Sequence, residues 1–312
     1  MLTTSITLTA LMAITGQSCQ SSQAAKMNYS TPSIIEVAST NSDFSTLTAA
    51  IKAADLDGAL SGEGPFTVFA PTNRAFEALP AGTVEMLLKK ENKDALAGVL
   101  TYHVLAGQMD AEHVTSMPGA ATLNGQWLQF EANDKGAFVD ASAITSVDIQ
   151  CSNGVIHVID AVLLPSSDNI VKTASATGTF NTLLAAATAA GLADTLSQDG
   201  PYTVFAPTDE AFAKLGDDTI NSLLLPENKD ALVKILKQHV VAGRVYSPTA
   251  LKARQATTLA GSTLPISVKD GTARAGNAGI IMTDIDASNG VIHVIDTVIV
   301  EPTRTASTDP SQ

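Results

Sequence analysis

The sequence repeats itself at a spacing of 136 residues. The word SNGVIHVID begins at Ser152 and again at Ser288, and GPFTVFAPT at Gly64 returns as GPYTVFAPT at Gly200. A third word, NKDAL, occurs twice at the same spacing. Solenoid repeats are roughly 20 to 50 residues long, whereas a unit near 136 residues is long enough to bury a core of its own. The duplication therefore predicts two whole domains in tandem.

The repeat also predicts where the domains begin and end. We expect a first domain over residues 29–165 and a second over residues 166–302, with so short a junction that the two lie close together. Residues 303–312 show no apolar periodicity, which predicts a disordered tail. Residues 1–28 are predicted to be an export signal and linker.

The export prediction rests on an apolar stretch from Ile6 to Ile14, which is too short to span a bilayer. Two processing sites stay open. Cys19 is a candidate for lipidation, although Gly16 stands where lipoprotein signals usually have leucine, and simple cleavage near Ala24 is the competitor. Both predict a periplasmic, cell-surface or secreted protein that meets a membrane through an N-terminal lipid anchor at most. A disordered cytosolic arm is the alternative.

The charge balance restricts the partners. The chain carries a net charge of −13, and its pI is near 4.6. Nucleic acids and anionic membrane surfaces attract basic proteins, so both are excluded as expected partners, and basic or neutral partners are favoured. Besides Cys19 the chain has one cysteine, Cys151, so we expect no internal disulfide once the signal is removed or lipidated.

Within each unit the helical patterns come first and the strand patterns later, which predicts an α+β fold. The first helix is expected to be capped by Thr31 with Pro32 at its first position, and its counterpart by Asp168. Asn92 is expected to cap a later helix that runs to Gly107.

Two Asn-Gly pairs predict two-residue hairpin turns, at Asn124-Gly125 and at Asn153-Gly154. The strand after the second pair, residues 155–164, is apolar on both faces apart from one histidine and one aspartate. Such a strand is typical of the centre of a sheet. His157 and its counterpart His293 are therefore expected inside the domains, where they need hydrogen-bond partners.

Three words in one order carry a resemblance: TVFAPTN from Thr67, the pair Tyr102-His103, and NGVIHVID from Asn153. They resemble the fasciclin-like domain, and the second copy repeats them with Gln238-His239 in place of Tyr-His. The resemblance covers residues 29–302. It implies two α+β domains, each a twisted β-wedge packed with helices. It further implies an extracellular or periplasmic adhesion module, often attached to a surface by lipid, with no shared catalytic site.

The resemblance also marks polar positions, which we interpret as a buried structural network in each domain. The positions are Thr72, Asn73, His103, His157, Thr208, Asp209, His239 and His293. A zinc site at the histidine pairs is the alternative, but no cysteine or glutamate accompanies them at ligand spacing. We predict no metal and no cofactor.

The sequence favours a protein that is not an enzyme. Asp160 lies three residues after His157 in a strand, so it points to the opposite face and cannot orient that ring for catalysis. No phosphate loop, dinucleotide fingerprint or HExxH motif occurs. We predict an exported protein for cell adhesion or for binding extracellular protein or surface polysaccharide. The alternative is a periplasmic ligand-binding or accessory protein without an adhesive role, and a weak hydrolase or metal-binding protein ranks third.

Overall fold

The computed structural model describes residues 31–198 and 200–300. The predictions for residues 1–28, for Cys19 and for residues 303–312 lie outside the described residues. The helices of the first domain are α1 Ile34–Thr40, α2 Ser45–Ala53, α3 Asp57–Leu60, α4 Asn73–Glu77, α5 Thr83–Leu87, α6 Lys93–Tyr102 and α7 Ala111–Ser116. Its strands are β1 Phe66–Pro71, β2 Val104–Ala106, β3 Gly119–Ala121, β4 Trp127–Asn133, β5 Gly136–Val139, β6 Ser142–Cys151 and β7 Gly154–Ile159.

The second domain has the same order of elements. Its helices are α8 Ile170–Thr177, α9 Asn181–Ala190, α10 Ala193–Ser197, α11 Asp209–Ala213, α12 Asp217–Leu223, α13 Lys229–Gln238 and α14 Ser247–Ala253. Its strands are β8 Tyr202–Pro207, β9 Val240–Ala242, β10 Gln255–Thr257, β11 Thr263–Lys269, β12 Thr272–Ala275, β13 Ala278–Ala287 and β14 Gly290–Ile295. Among the described residues, no helix is long and apolar enough to cross a membrane.

Each domain builds a seven-stranded sheet from its own strands. The first has the order β2-β1-β7-β6-β5-β4-β3, and the second has the same order read from its other end, β10-β11-β12-β13-β14-β8-β9. β1 pairs with β7 in parallel, and β8 pairs likewise with β14, whereas the other named pairs are antiparallel. The α+β prediction is confirmed.

The repeated word VIHVI lies in an interior strand of each sheet, as its two apolar faces predict, but β7 ends at Ile159 and is shorter than the predicted strand over 155–164. Every residue of β7 is buried between β1 and β6. Ile156 and Val158 pack with the helices around Phe44, whereas Ile159 packs with Phe69 in a second cluster on the other face. The sheet thus separates two apolar layers, and the second domain repeats the arrangement.

The predicted caps of the first helices are wrong by one or two residues. Ser33, not Thr31, is the N-cap of α1, and it forms a reciprocal capping box with Glu36. A serine with glutamate three residues later satisfies two backbone donors, which Thr31 cannot do from its position. In the second domain Asn169 rather than Asp168 caps α8, and its Oδ1 accepts the Lys172 N–H at 2.9 Å.

The helix predicted from Asn92 to Gly107 is shorter than expected. Asn92 precedes α6, but its amide donates to the Met86 carbonyl at 2.7 Å instead of accepting from the helix. The helix ends at Tyr102, and the short strand β2 follows before Gly107. Gly107 has φ +100°, so it makes the turn that leaves β2.

Both Asn-Gly pairs adopt turns other than the predicted ones. Asn124 and Gly125 belong to a three-residue loop, because the Thr122 N–H donates to the Gln126 carbonyl at 2.9 Å, and Gly125 has φ +88°. Gly154 lies in β7 rather than in the turn. A Cβ there would lie 2.0 Å from the Phe66 carbonyl oxygen, so the close approach of β1 requires the glycine.

Candidate functional site

His157 connects two irregular segments of the first domain through backbone groups. It is fully buried; its Nε2–H donates to the Met109 carbonyl at 2.9 Å, and its Nδ1 accepts from the Asp148 N–H at 3.3 Å. Asp148 sits in a bulge of β6 at φ +58°. One ring nitrogen donates and the other accepts, so the imidazole is neutral. His293 makes the same two bonds, and burial lowers its pKa.

His103 connects the end of α6 to the chain that leaves the domain. Its Nδ1–H donates to the Val99 carbonyl at 2.8 Å, and its Nε2 accepts from the Leu163 N–H at 3.0 Å. His239 repeats the pattern in the second domain. Burial lowers the pKa of both rings to about 4. Both nitrogens of each ring are occupied by backbone groups, which leaves no free ligand atom for a metal.

The other four predicted positions act at helix ends. Thr72 caps α4, with its Oγ1 3.4 Å from the Ala75 N–H, and Thr208 does the same for α11. Asn73 and Asp209 each accept a backbone N–H from the start of the preceding long helix, at 2.9 and 2.7 Å.

The structure does not form the buried network that we predicted in each domain, and Thr72, Asn73, Thr208 and Asp209 are only half-buried. Across the described residues, no hydrogen bond joins one of the eight side chains to another, because each one satisfies backbone groups of its own surroundings. Nor does this part of the chain contain a group of three or more histidine, cysteine, aspartate or glutamate side chains placed to hold a metal ion.

A different cluster joins the two domains, and we call Trp127, Arg244, Tyr246 and Asp286 the domain joint. The rings of Trp127 and Tyr246 lie 4.8 Å apart between centroids, at 34°. The backbone N–H of Trp127 donates to Asp286 Oδ2 at 2.9 Å. The Tyr246 hydroxyl lies 3.0 Å from the Gly125 carbonyl. The second domain therefore makes hydrogen bonds to two backbone groups of the first domain, the Gly125 carbonyl and the Trp127 N–H.

Local structure on each side places these groups. The three-residue loop before β4 turns at Gly125, and Trp127 begins the strand. Arg244 and Tyr246 lie between β9 and α14. The Arg244 guanidinium donates to Asp286 at 3.2 Å and to the carbonyls of Gly290 and Ser288 at 2.7 Å each. Arg244 is therefore committed to shaping the second domain's side of the joint.

The joint contains one hydroxyl proton with two acceptors. Tyr246 Oη lies 2.7 Å from Asp286 Oδ1 and 3.0 Å from the Gly125 carbonyl. Burial raises the pKa of Asp286 to about 6, against opposing hydrogen bonds from Tyr246 and Trp127. A proton on Asp286 resolves the competition, because Asp286 then donates to Tyr246 and Tyr246 donates to Gly125.

The first domain holds the same tryptophan from its other side. The Tyr102 hydroxyl lies 3.0 Å from the Trp127 carbonyl and 2.9 Å from Asp140 Oδ2. Burial raises the pKa of Asp140, as it does that of Asp286. The backbone carbonyl of Trp127 thus accepts a hydrogen bond from its own domain, and its backbone N–H donates one to the second domain.

An open cleft of about 620 Å³ lies beside the domain joint. Its walls come from both domains and combine aromatic rings with amide, hydroxyl and guanidinium groups: Ala121, Asn124, Gly125, Trp127, Gly200, Pro201, Arg244, Tyr246, Thr249, Ser288 and Asn289. Ligand pockets usually enclose about 300–1,000 Å³ and set a few polar groups against apolar walls. The cleft suits a ligand that has both apolar and hydroxyl-bearing surfaces.

Sequence reasoning missed the domain joint because its residues are not shared between the copies. At the 136-residue spacing, Trp127 corresponds to Thr263, and Arg244, Tyr246 and Asp286 correspond to Gln108, Asp110 and Gln150. A search for repeated words discards all four positions. The signal that could have found the joint is a difference between the copies, since the chain's single tryptophan lies at a position that the second copy does not repeat.

Comparisons with known proteins show which domain family and which proteins this chain resembles. The model of the fasciclin domain matches residues 42–165 and 178–301. Protein sll1483 of Synechocystis is 55% identical over 154 residues, which are 49% of this chain and 84% of that protein. The transforming growth factor-beta-induced protein ig-h3 of Sus scrofa is 31% identical over 244 residues; the match spans 77% of this chain but 35% of that protein. A solved domain pair from the insect cell adhesion molecule fasciclin I matches with a TM-score of 0.42 and 18% identity, over 85% of this chain and 98% of that one.

Proposed function

Because the chain belongs to the fasciclin domain family, we propose that it is an exported, non-enzymatic adhesion protein that binds an extracellular polysaccharide or protein. The cleft beside the domain joint is the binding surface in this proposal. The observation that carries it is the composition of the cleft walls, which unite Trp127 of one domain with Tyr246, Thr249 and Ser288 of the other.

A neutral polysaccharide fits these walls best. The half-buried Trp127 ring presents part of an apolar surface, which matches the apolar side of a sugar ring, whereas Tyr246 is buried behind it. The exposed Thr249 and Ser288 side chains supply hydroxyl groups that can donate to and accept from sugar hydroxyls. The net charge of −13 disfavours an anionic polymer. The openness of the cleft to solvent suits a chain that continues beyond it.

The second candidate is a periplasmic ligand-binding or accessory protein without an adhesive role. A single cleft shared by two domains also suits one soluble oligosaccharide. The two candidates differ in attachment: an adhesion protein is retained on an immobilised polymer, whereas a soluble receptor is released from it by a short oligosaccharide of the same composition.

The test measures retention of the full chain on arrays of neutral polysaccharides and matrix proteins. The variant Ala121→Gln/Thr249→Gln narrows the cleft from both domains at exposed positions, and we expect it to lower retention about tenfold or more. The matched control is Ala132→Gln/Thr272→Gln, which changes exposed strand residues of both domains outside the cleft walls. Equal loss in both variants, or in neither, contradicts the cleft as the binding surface.

A salt series identifies the kind of partner. Binding of a neutral polymer is expected to change little between about 0.05 and 0.5 M salt, because no charge pair is screened. A steep loss with salt would point to a basic partner protein and would remove the polysaccharide from the proposal.

A further inference from the structure

The second domain has a cavity at the place that a tyrosine ring fills in the first domain. Tyr102 is the last residue of α6 and is 5% exposed, and its hydroxyl lies between Asp140 and the Trp127 carbonyl. The corresponding residues of the second domain are Gln238, Gly276 and Thr263. All three are smaller, so this part of the second domain loses the ring and its carboxylate partner but keeps a backbone carbonyl, that of Thr263.

A pocket of about 470 Å³, partly open to solvent, lies at this place, so it is several times larger than one tyrosine ring. Its walls include apolar residues and a few polar groups: Gln238, Thr258, Thr263, Leu264, Gly276 and Ile299. The volume falls in the usual range of ligand sites, about 300–1,000 Å³. The cavity is separate from the cleft at the domain joint, with which it shares no wall residue.

A buried amide points to a missing partner. Gln238 is 3% exposed, and its Oε1 is buried without a hydrogen-bond partner among the described residues. A buried acceptor that is left unpaired costs stability. Oε1 is itself shielded from the pocket, and rotation about the last side-chain torsion exchanges it with the NH₂ group, so the amide can turn either an acceptor or a donor toward the pocket.

We propose that this cavity binds a small phenol. The ring would occupy the space that the Tyr102 ring fills in the first domain, against Leu264 and Ile299. The hydroxyl would reach the Gln238 amide and the carbonyl of Thr263, the residue that corresponds to Trp127. The first domain thus shows which chemical group this place in the fold accepts.

The probe is p-cresol, which is the tyrosine side chain without its backbone. Titration of the full chain by calorimetry, with methyl NMR of Leu264 and Ile299, is expected to show one saturable site at these residues. Toluene has the same ring without the hydroxyl, so it is expected to bind about tenfold more weakly. No binding of p-cresol up to its solubility limit overturns the proposal, as does saturation at residues outside the cavity.

Two variants and a control separate binding from folding. Gln238→Tyr places the ring of the first domain at the proposed position of the phenol and is expected to abolish p-cresol binding there. Gln238→Leu keeps most of the volume but removes the amide, so p-cresol is expected to bind only as well as toluene does. Gln255→Leu changes an exposed glutamine of the same domain and should leave both affinities unchanged. If p-cresol keeps its affinity and its preference over toluene in Gln238→Leu, the assignment is wrong.

Discussion

Replacing Asp286 with asparagine is expected to remove a pH-dependent part of the stability. The carboxyl group faces the Tyr246 hydroxyl, the Trp127 N–H and the Arg244 guanidinium, with the carboxyl group of Asp284 adding repulsion. Burial outweighs these donors and raises the pKa of Asp286 to about 6. The protonated form also completes the hydrogen bonds of Tyr246, so the folded protein favours it at mildly acidic pH.

The size and sign of the effect follow from the two ends of the titration. The rise from an ordinary pKa of 3.8 to about 6 corresponds to about 3 kcal/mol, at 1.36 kcal/mol per pKa unit. In the unfolded chain Asp286 ionises near pH 4, whereas in the folded chain it ionises near pH 6. Its contribution is therefore fully present below about pH 4 and is lost as the pH rises through 6. Asparagine carries no such dependence.

Urea unfolding at pH 4, 5, 6 and 7 measures the effect. The fluorescence of Trp127, the chain's single tryptophan, reports on the domain joint, and far-ultraviolet circular dichroism reports on both domains. Other carboxyl groups titrate as well, so the quantity of interest is the unfolding free energy of the wild type minus that of Asp286→Asn. This difference is expected to fall by about 2–3 kcal/mol from pH 4 to pH 7.

The matched control is Asp134→Asn, which changes an exposed carboxylate in the turn after β4. Its difference from the wild type should stay nearly constant with pH. If the difference for Asp286→Asn also stays constant from pH 4 to pH 7, the hydrogen bonds from Tyr246, Trp127 and Arg244 offset burial, and the proposed effect of burial on Asp286 is refuted.

Three further predictions concern stability and can be checked by denaturant unfolding. His157→Ala should lower the unfolding free energy by about 2–4 kcal/mol, because it leaves a cavity and two unpaired backbone groups, and added zinc should not change this loss. Ala187→Ile should raise the unfolding free energy by about 2 kcal/mol, because Ala187 lines an apolar cavity of about 90 Å³ and cavities cost about 24 cal/mol per Å³. The first domain has Ile51 at the corresponding position, and Ile51→Ala should lower the unfolding free energy. Residues 29–165 and 166–302, expressed separately, should each unfold cooperatively, and a non-cooperative transition in both halves would contradict the two-domain organisation.

The shared words were enough to predict the centre of each sheet. Apolar residues on both faces of 155–164 placed His157 at a buried position, and the structure confirms it. The partners of His157 were not predictable, because they are the backbone groups of Met109 and Asp148, and backbone groups leave no mark in the sequence. The bulge that brings Asp148 to the ring is a property of the pairing between β6 and β7.

The turn predictions failed for a related reason. An Asn-Gly pair predicts a turn from the conformational freedom of glycine, but glycine is also selected where two backbones approach closely. At Gly154 the second cause applies, since β1 passes within 2.0 Å of where a Cβ would lie. Asn153 then has a different role, and its side chain bonds the Ile34 N–H and the carbonyls of Leu60 and Gly62. Contacts across some 90 to 119 residues of sequence are not visible in a local pattern.

The differences between the two copies make the contact between the domains one-way, because each domain supplies a different set of groups. The joint needs an indole on the first domain and the Arg244, Tyr246 and Asp286 groups on the second. If one contact surface simply repeated, each domain could bind the next, and head-to-tail contacts of that kind extend without limit unless they close into a ring. The second domain has Thr263 where the indole would be needed to continue the series, and the first has Gln108, Asp110 and Gln150 where the receiving groups would be needed. The second domain therefore cannot make the same contact with a further copy of the repeat. In the second domain, Thr263, which corresponds to Trp127, lines the cavity beside Gln238 instead.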